Sequence, residues 1–295
     1  MPENAVNKEL LALIQLMDEP DENIFSTIRK KIMDYGPDAL SLLEEAWVSL
    51  NGEVEQSRVE HLVQDIRLED VSRKLSSWSS HRSLDLFEPY GLISIFHQAD
   101  ESLVSMEVSV YKIYRDLWLE MNDELTALEK IRVVNHIFFD VYRFQGLQST
   151  KAAVPTYMLG NVLRTQKGNP LSLAMTYLMI TQQLGLPVFG VDLPHHFILA
   201  YMDDSRQIKP AGNYTEDEVL FYVNPFNQGA IFRKSEIELF IKQLNIKEQN
   251  SFFLPCDNLS VIRRMLNDIQ ALYRENNKTD KADALKQLLK AVSGE

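Results

Sequence analysis

The amino-acid sequence predicts an α+β protein, and three stretches of hydrophobic patterning support that prediction. Before residue 145, apolar residues recur every three or four positions, which is typical of amphipathic helices. Three short runs after residue 187 are rich in β-branched and aromatic residues and predict antiparallel strands: P-V-F-G-V, H-F-I-L-A-Y and V-L-F-Y-V. Helical spacing returns at about residue 234 and ends in a predicted pair of packed helices.

The N-terminal part of the chain predicts helices separated by turns. An apolar stripe that includes Leu10, Ile14 and Met17 stops at the D-E-P-D segment, and a second stripe stops at Y-G-P-D. This alternation of helix and turn resembles a HEAT-like unit, which buries its apolar face only by stacking on a neighbour. We therefore expect a HEAT-like region over 1–104, a core over 105–233 and a C-terminal helical hairpin over 234–295.

Composition and charge narrow the classes of function. The formal net charge of −12 disfavours binding to nucleic acid or to anionic lipid. No apolar run is long enough to span a membrane, and the N-terminus has no secretory-signal pattern, so we expect a cytoplasmic protein. The single cysteine, Cys256, allows no intrachain disulfide, and the histidines lack metal-ligand spacing. Nucleotide-binding and other cofactor motifs are absent from the sequence, and we expect no metal and no cofactor.

The segment K-G-N-P-L-S-L-A, residues 167–174, predicts a loop that runs into a helix. Asn169 is a favourable N-cap residue, and Pro170 occupies the first helical position, where its missing N–H costs no hydrogen bond. The helix should extend to about Leu184, with Gly185 ending it before the first strand.

Three segments in this order resemble the transglutaminase-like superfamily: G-N-P-L-S-L-A at 168–174, L-P-H-H-F-I-L-A-Y at 193–201 and Y-V-N-P-F-N-Q-G at 222–229. They are most similar to its SirB-type branch, whose core also occurs in some eukaryotic F-box proteins. The resemblance covers roughly residues 105 to 290. It implies a papain-like core, in which one helix packs on a small antiparallel sheet between the flanking helical segments.

The resemblance also implies a site at the start of that helix. Active members of the superfamily use a cysteine, a histidine and an aspartate, and the helix N-terminus activates the cysteine thiol. In this sequence Pro170 falls at the cysteine position, His196 at the histidine position and Asn224 at the aspartate position. Proline has no nucleophilic atom, so these three residues cannot form an acyl-enzyme.

Other residues near these positions are candidates for a remaining binding cleft. The complete candidate set is Asn169, Ser172, His195, His196 and Asn224. Ser172 lies two positions after Pro170, on another side of the helix, and we expect it to bond to the local backbone. His195 stands where the family has glycine. Cys256 lies far along the chain, and we expect a small buried or semi-exposed thiol without a catalytic role.

Three hypotheses about function follow. The leading one is a non-catalytic protein-interaction or regulatory module with a protein or peptide partner, since the nucleophile position holds Pro170 and helical segments flank the core. The second is a cysteine-independent amide hydrolase or transferase that uses His196 to activate water. The third is a small-molecule sensor that uses the remnant cleft.

Overall fold

The computed structural model describes residues 3–50, 52–81, 85–98, 100–148, 153–194, 196–203 and 209–294. The α-helices within these ranges are α1 (Glu3–Ile14), α2 (Glu22–Tyr35), α3 (Leu40–Ser49), α4 (Glu53–His81), α5 (Phe87–His97), α6 (Leu103–Glu120), α7 (Ala127–Asn135), α8 (Leu159–Thr165), α9 (Pro170–Gln183), α10 (Lys234–Gln243), α11 (Asn258–Glu275) and α12 (Thr279–Ser293). The strands are β1 (Gln145–Gly146), β2 (Lys167–Gly168), β3 (Val188–Leu193), β4 (His196–Met202), β5 (Val219–Asn224) and β6 (Ala230–Phe232). The protein is therefore α+β, as the sequence predicts.

The chain divides into two compact units, Met1–Lys74 and Leu75–Glu295. The first unit is helical, and its second helix begins directly after the predicted turn D-E-P-D. The Asp21 carboxylate caps this helix by accepting the N–H groups of Asn23 and Ile24 at 2.8 and 3.3 Å. That helix ends at Gly36, whose φ of +57° suits glycine. The domain boundaries expected at residues 104 and 233 stay predictions.

The second unit is built around α9 and a four-stranded antiparallel sheet in the order β3-β4-β5-β6. Helix α9 packs on β3 and β4, and every residue from Leu171 to Thr181 is buried. A helix that is buried all round needs partners on every side. Helices α6 and α8 supply further contacts to it, and a parallel pair of two-residue strands, β1 and β2, lies beside its start.

The two faces of the sheet carry different side chains, because neighbouring residues on a strand point in opposite directions. One face packs against α10 in a buried cluster that holds no residue of α9 among the described residues: Phe189, Val191, Leu193, Ile198, Ala200, Met202, Ala211, Tyr214, Tyr222, Ile237, Ile241, Phe252 and Phe253. We call this the α10 face. The other face includes Gly190 and Phe197 and contacts Val261 of α11. Helix α9 packs on β3 and β4 from this side, since the cluster on the α10 face contains none of its described residues.

Helices α11 and α12 form the predicted C-terminal hairpin. The Asp257 carboxylate accepts the Ser260 N–H at 2.8 Å and so caps α11. The buried Gln270 amide donates to the Ala282 carbonyl at 3.0 Å and joins the two helices. None of the helices in the described parts of the chain combines the length and apolar character needed to cross a bilayer.

Candidate functional site

The start of α9 is held by its own cap. Asn169 Oδ1 accepts the Ser172 N–H at 2.8 Å, and Asn169 Nδ2 donates to Thr156 Oγ1 at 3.2 Å. The fully buried Ser172 hydroxyl donates to the Asn169 carbonyl at 3.3 Å. A Cβ on Gly168 would lie 2.6 Å from the Ser172 Oγ, so glycine permits this close packing. Pro170 is half-buried at the first helical position.

Four short segments surround this helix start. The strands β1 and β2 pair in parallel through Gln145 with Lys167 and through Gly146 with Gly168. The 3-10 turn Val154–Tyr157 carries the threonine that meets the cap, and the 3-10 turn Pro225–Asn227 packs on both α9 and β1. A side chain on Gly146 would strike the Phe226 ring at 2.6 Å, so that ring lies directly on the β1 backbone.

Asn224 ends β5 and begins the turn beside α9. Its side-chain Oδ1 accepts the Asn227 N–H at 3.3 Å, and its carbonyl accepts the Gly229 N–H at 3.0 Å. The β4–β5 ladder pairs Leu199 with Val223. One more step of that register places Asn224 beside Ile198 and diagonal to His196 on the same face of the sheet.

His196 begins β4 and pairs with Leu193 of β3. Its ring packs edge-on against the Phe240 ring of α10, with centroids 4.7 Å apart and planes at 86°. Phe240 belongs to the packing on the α10 face. The turn after Asn224 contacts β1, which pairs with β2 just before α9, so the strand register brings His196 to the end of the sheet where α9 begins. The His196 ring itself lies on the α10 face. His195 lies outside the described residues.

Sequence reasoning missed a partly buried polar link between α9 and the turn after Asn224. The Tyr177 hydroxyl donates to Asn135 Oδ1 at 2.9 Å, and Asn135 Nδ2 donates to the Gly229 carbonyl at 2.9 Å. Tyr177 is fully buried, and burial raises the pKa of its hydroxyl well above its ordinary value. The neutral hydroxyl therefore remains a donor. No sequence motif joins these three residues, since 94 positions separate Asn135 from Gly229.

The single cysteine lies beside the edge strand β3. The Cys256 backbone N–H donates to the Gly190 carbonyl at 2.7 Å and so adds one bridge to the free edge of β3. Burial raises the pKa of its thiol to about 12, and the nearby carboxylates of Asp192 and Asp257 act in the same direction. A thiol with that pKa is almost entirely protonated at neutral pH and is a poor nucleophile.

A charged cluster lies close to this cysteine. The Arg264 guanidinium donates to the carboxylate of Asp192 on β3 and, through Nε, to Asp268 at 2.9 Å. Burial raises the pKa of the Asp268 carboxyl, while Arg264 opposes that rise. One cation between two carboxylates leaves this cluster with a net charge of −1 when both carboxylates are ionised. Among the described residues, no group of three or more His, Cys, Asp or Glu side chains is placed to hold a metal ion.

A cysteine at the helix start should behave very differently from Cys256. In the Pro170→Cys variant we expect iodoacetamide to alkylate residue 170 about a hundredfold faster than Cys256 at pH 7, because a thiol near its ordinary pKa of about 8.5 ionises far more readily and the helix dipole helps. Peptide mass spectrometry gives both rates in one sample. Equal rates would contradict the environments described for the two positions.

Comparisons with known proteins give a consistent assignment. A family model described as the transglutaminase-like superfamily matches residues 105–267. A UPF0162 protein of Buchnera aphidicola is 29% identical over 166 residues, which cover 54% of this chain and 56% of the relative. A UPF0162 protein of Xylella fastidiosa is 21% identical over 159 residues, or 52% of each chain.

A eukaryotic relative also matches. Human F-box only protein 21 is 23% identical over 184 residues, which cover 61% of this chain and 25% of the relative. The chain thus spans about half the length of the bacterial relatives and about a quarter of the human one. No solved structure matches the chain.

Proposed function

The chain belongs to the transglutaminase-like superfamily, and from that premise we propose that it is a non-catalytic member of the SirB-type branch that works as a protein-interaction or regulatory module. Pro170 at the start of α9 is the observation that carries this proposal. The superfamily reaction needs a thiol at the position that this proline fills. The UPF0162 and F-box relatives support the assignment to the branch.

The remaining nucleophiles support the same conclusion. The Ser172 hydroxyl is fully buried and donates to the Asn169 carbonyl, so it faces its own turn. The Cys256 backbone bridges to the edge of β3, and burial raises the pKa of its thiol to about 12. Neither group occupies the first position of α9, where the superfamily cysteine would lie.

The position of His196 gives further support. A general base must reach the proton that it removes, within about 2.6–3.2 Å or through one water. The His196 ring packs on Phe240, on the α10 face, whereas α9 takes the other face of the sheet. Asn224 uses its amide oxygen to cap the following turn. His196 and Asn224 thus have structural roles, in packing and in capping a turn, at the positions of the superfamily histidine and aspartate.

The rival proposal is water activation by His196 with help from Asn224. Its support is that the sheet register places both residues on one face, at the end where α9 begins. This arrangement would need an oxyanion hole or a similar electrophilic aid. A bound small molecule is the third possibility for the same cleft.

Affinity purification from native lysate tests the interaction proposal. The intact chain is compared with a His196→Ala, Asn224→Ala variant and with a His81→Ala, Asn213→Ala control at two exposed positions. We expect a near-stoichiometric protein partner with the intact chain and with the control. Loss in the first variant would place recognition at the cleft, and retention would place it on the helices. No partner in any sample would overturn the proposal.

A further inference from the structure

Helix α6 carries an apolar stripe on its solvent side. The stripe consists of exposed large side chains, which are 49–68% exposed: Val104, Val108, Tyr111, Trp118 and Leu119. We call these residues the outer stripe. Positions 104, 108, 111 and 118, with Arg115 between the last two, repeat at intervals of three or four residues, so their side chains line one side of the helix.

The outer stripe is not the face that packs on the core. Met106, Val110 and Ile113 are at most 2% exposed and lie on the opposite side of the same helix. A surface helix of a globular protein normally presents polar residues where α6 presents valine, tyrosine and tryptophan. A contiguous exposed apolar patch of this kind marks an interaction site.

Charges around the outer stripe indicate the chemistry of a partner. Arg115 donates to its neighbour Asp116 at 2.8 Å, so its charge is already compensated. The carboxylates of Glu107 on α6 and of Asp123 and Glu124 just after it form no ion pair with a described lysine or arginine. Lys112, also exposed on α6, offsets one of these three charges, so the surroundings of the stripe carry a net negative charge.

We propose that the outer stripe of α6 binds an amphipathic helix of a partner protein whose apolar face is flanked by lysine or arginine. This inference rests on the proposed function and gives it a surface and a partner class. Apolar anchors at helical spacing are the usual way to seat such a helix. Tyr111 and Trp118 are the side chains most suited to act as anchors, because aromatic residues dominate binding energy at interfaces.

The same charges disfavour a second copy of this chain as the occupant. Two copies would bring together the unpaired carboxylates beside each stripe, and each chain carries a formal charge of −12. Like charges placed opposite each other at an interface disfavour association. A basic amphipathic helix would bury the apolar stripe and also neutralise the carboxylates around it.

Peptide binding to the full chain tests this inference. The probe is a labelled helical peptide of about 18 residues, the length of α6, with leucines at helical spacing and lysines elsewhere. Fluorescence anisotropy gives the Kd. We expect Tyr111→Ser, Trp118→Ser to weaken binding about tenfold or more. Val48→Ser, Leu239→Ser, which removes two exposed apolar side chains outside the stripe, should bind as the unmodified chain does.

Two further peptides separate shape from charge. A scrambled peptide of the same composition has no apolar face, and a peptide with glutamate in place of lysine has the wrong charge. We expect both peptides to bind the unmodified chain weakly. Their Kd values should equal or exceed the Kd of the leucine–lysine peptide for the Tyr111→Ser, Trp118→Ser variant. Equal binding of the scrambled peptide, equal loss in the control variant, or dimerisation through the stripe in sedimentation would overturn the inference. If the stripe variant still captured a partner from lysate, the proposed interaction function would hold, but the outer stripe would not be its binding surface.

Discussion

Replacing Gly229 with alanine should lower the free energy of unfolding by about 2–4 kcal/mol, since it combines left-handed strain with overpacking. The backbone at Gly229 has a φ of +68°, and a Cβ there would lie 2.0 Å from Asn135 Oδ1. The alanine would also break the Asn135 bond to the Gly229 carbonyl that fixes the turn beside α9. Urea denaturation of the full chain measures the loss.

Gly185→Ala is the matched control. Gly185 also has a positive φ, +72°, but a Cβ there would meet no atom within 4 Å. We expect a loss of only about 1–2 kcal/mol from backbone strain. If the two variants lost equal stability, the tight contact between Gly229 and Asn135 would not hold the turn.

His97 alone should lower the free energy of unfolding by about 3 kcal/mol as the pH is lowered from 6.5 towards 4. Burial is the main cause that lowers the pKa of this histidine from 6.5 to about 4, and Lys281 adds to it. The ring donates through Nδ1 to the Ile93 carbonyl at 2.9 Å and stacks on Tyr273. Its buried Nε2 has no hydrogen-bond partner, so a proton added there would also have none.

The sign follows from which state takes up the proton. The unfolded chain protonates His97 below pH 6.5, whereas the folded chain resists protonation until about pH 4. The stabilisation is therefore complete above pH 6.5 and is lost as the pH falls towards 4. His97→Phe should flatten this part of the stability profile, and the same change at the exposed His81 serves as the control. A profile unchanged by His97→Phe would contradict the buried, neutral state of this ring.

Local sequence rules predict much of the fold. Asn169 and Pro170 mark the start of α9 because a capping amide and a first-position proline are strong short-range signals. Three of the four strands of the main sheet follow from β-branched and aromatic runs. The two-residue strands β1 and β2 and the three-residue β6 are too short to leave a periodic pattern, and β1 and β2 pair across 22 positions of sequence.

The candidate site is only partly predictable for a similar reason. The family resemblance predicts a shared site for Pro170, His196 and Asn224 at the start of α9, but the face on which a side chain lies depends on strand register. The packing of His196 on Phe240 also depends on where α10 returns to the sheet. The link from Tyr177 through Asn135 to Gly229 joins three distant segments and has no local signal.

An assay of amide chemistry tests the central claim most directly. The purified chain and its His196→Ala variant are incubated with a glutamine-containing peptide and a primary amine, and both ammonia release and amine incorporation are followed. We predict no turnover by the unmodified chain above the level of the variant, since Pro170 supplies no nucleophile. Turnover that disappears in His196→Ala would contradict a non-catalytic role and would establish the water-activation mechanism in its place.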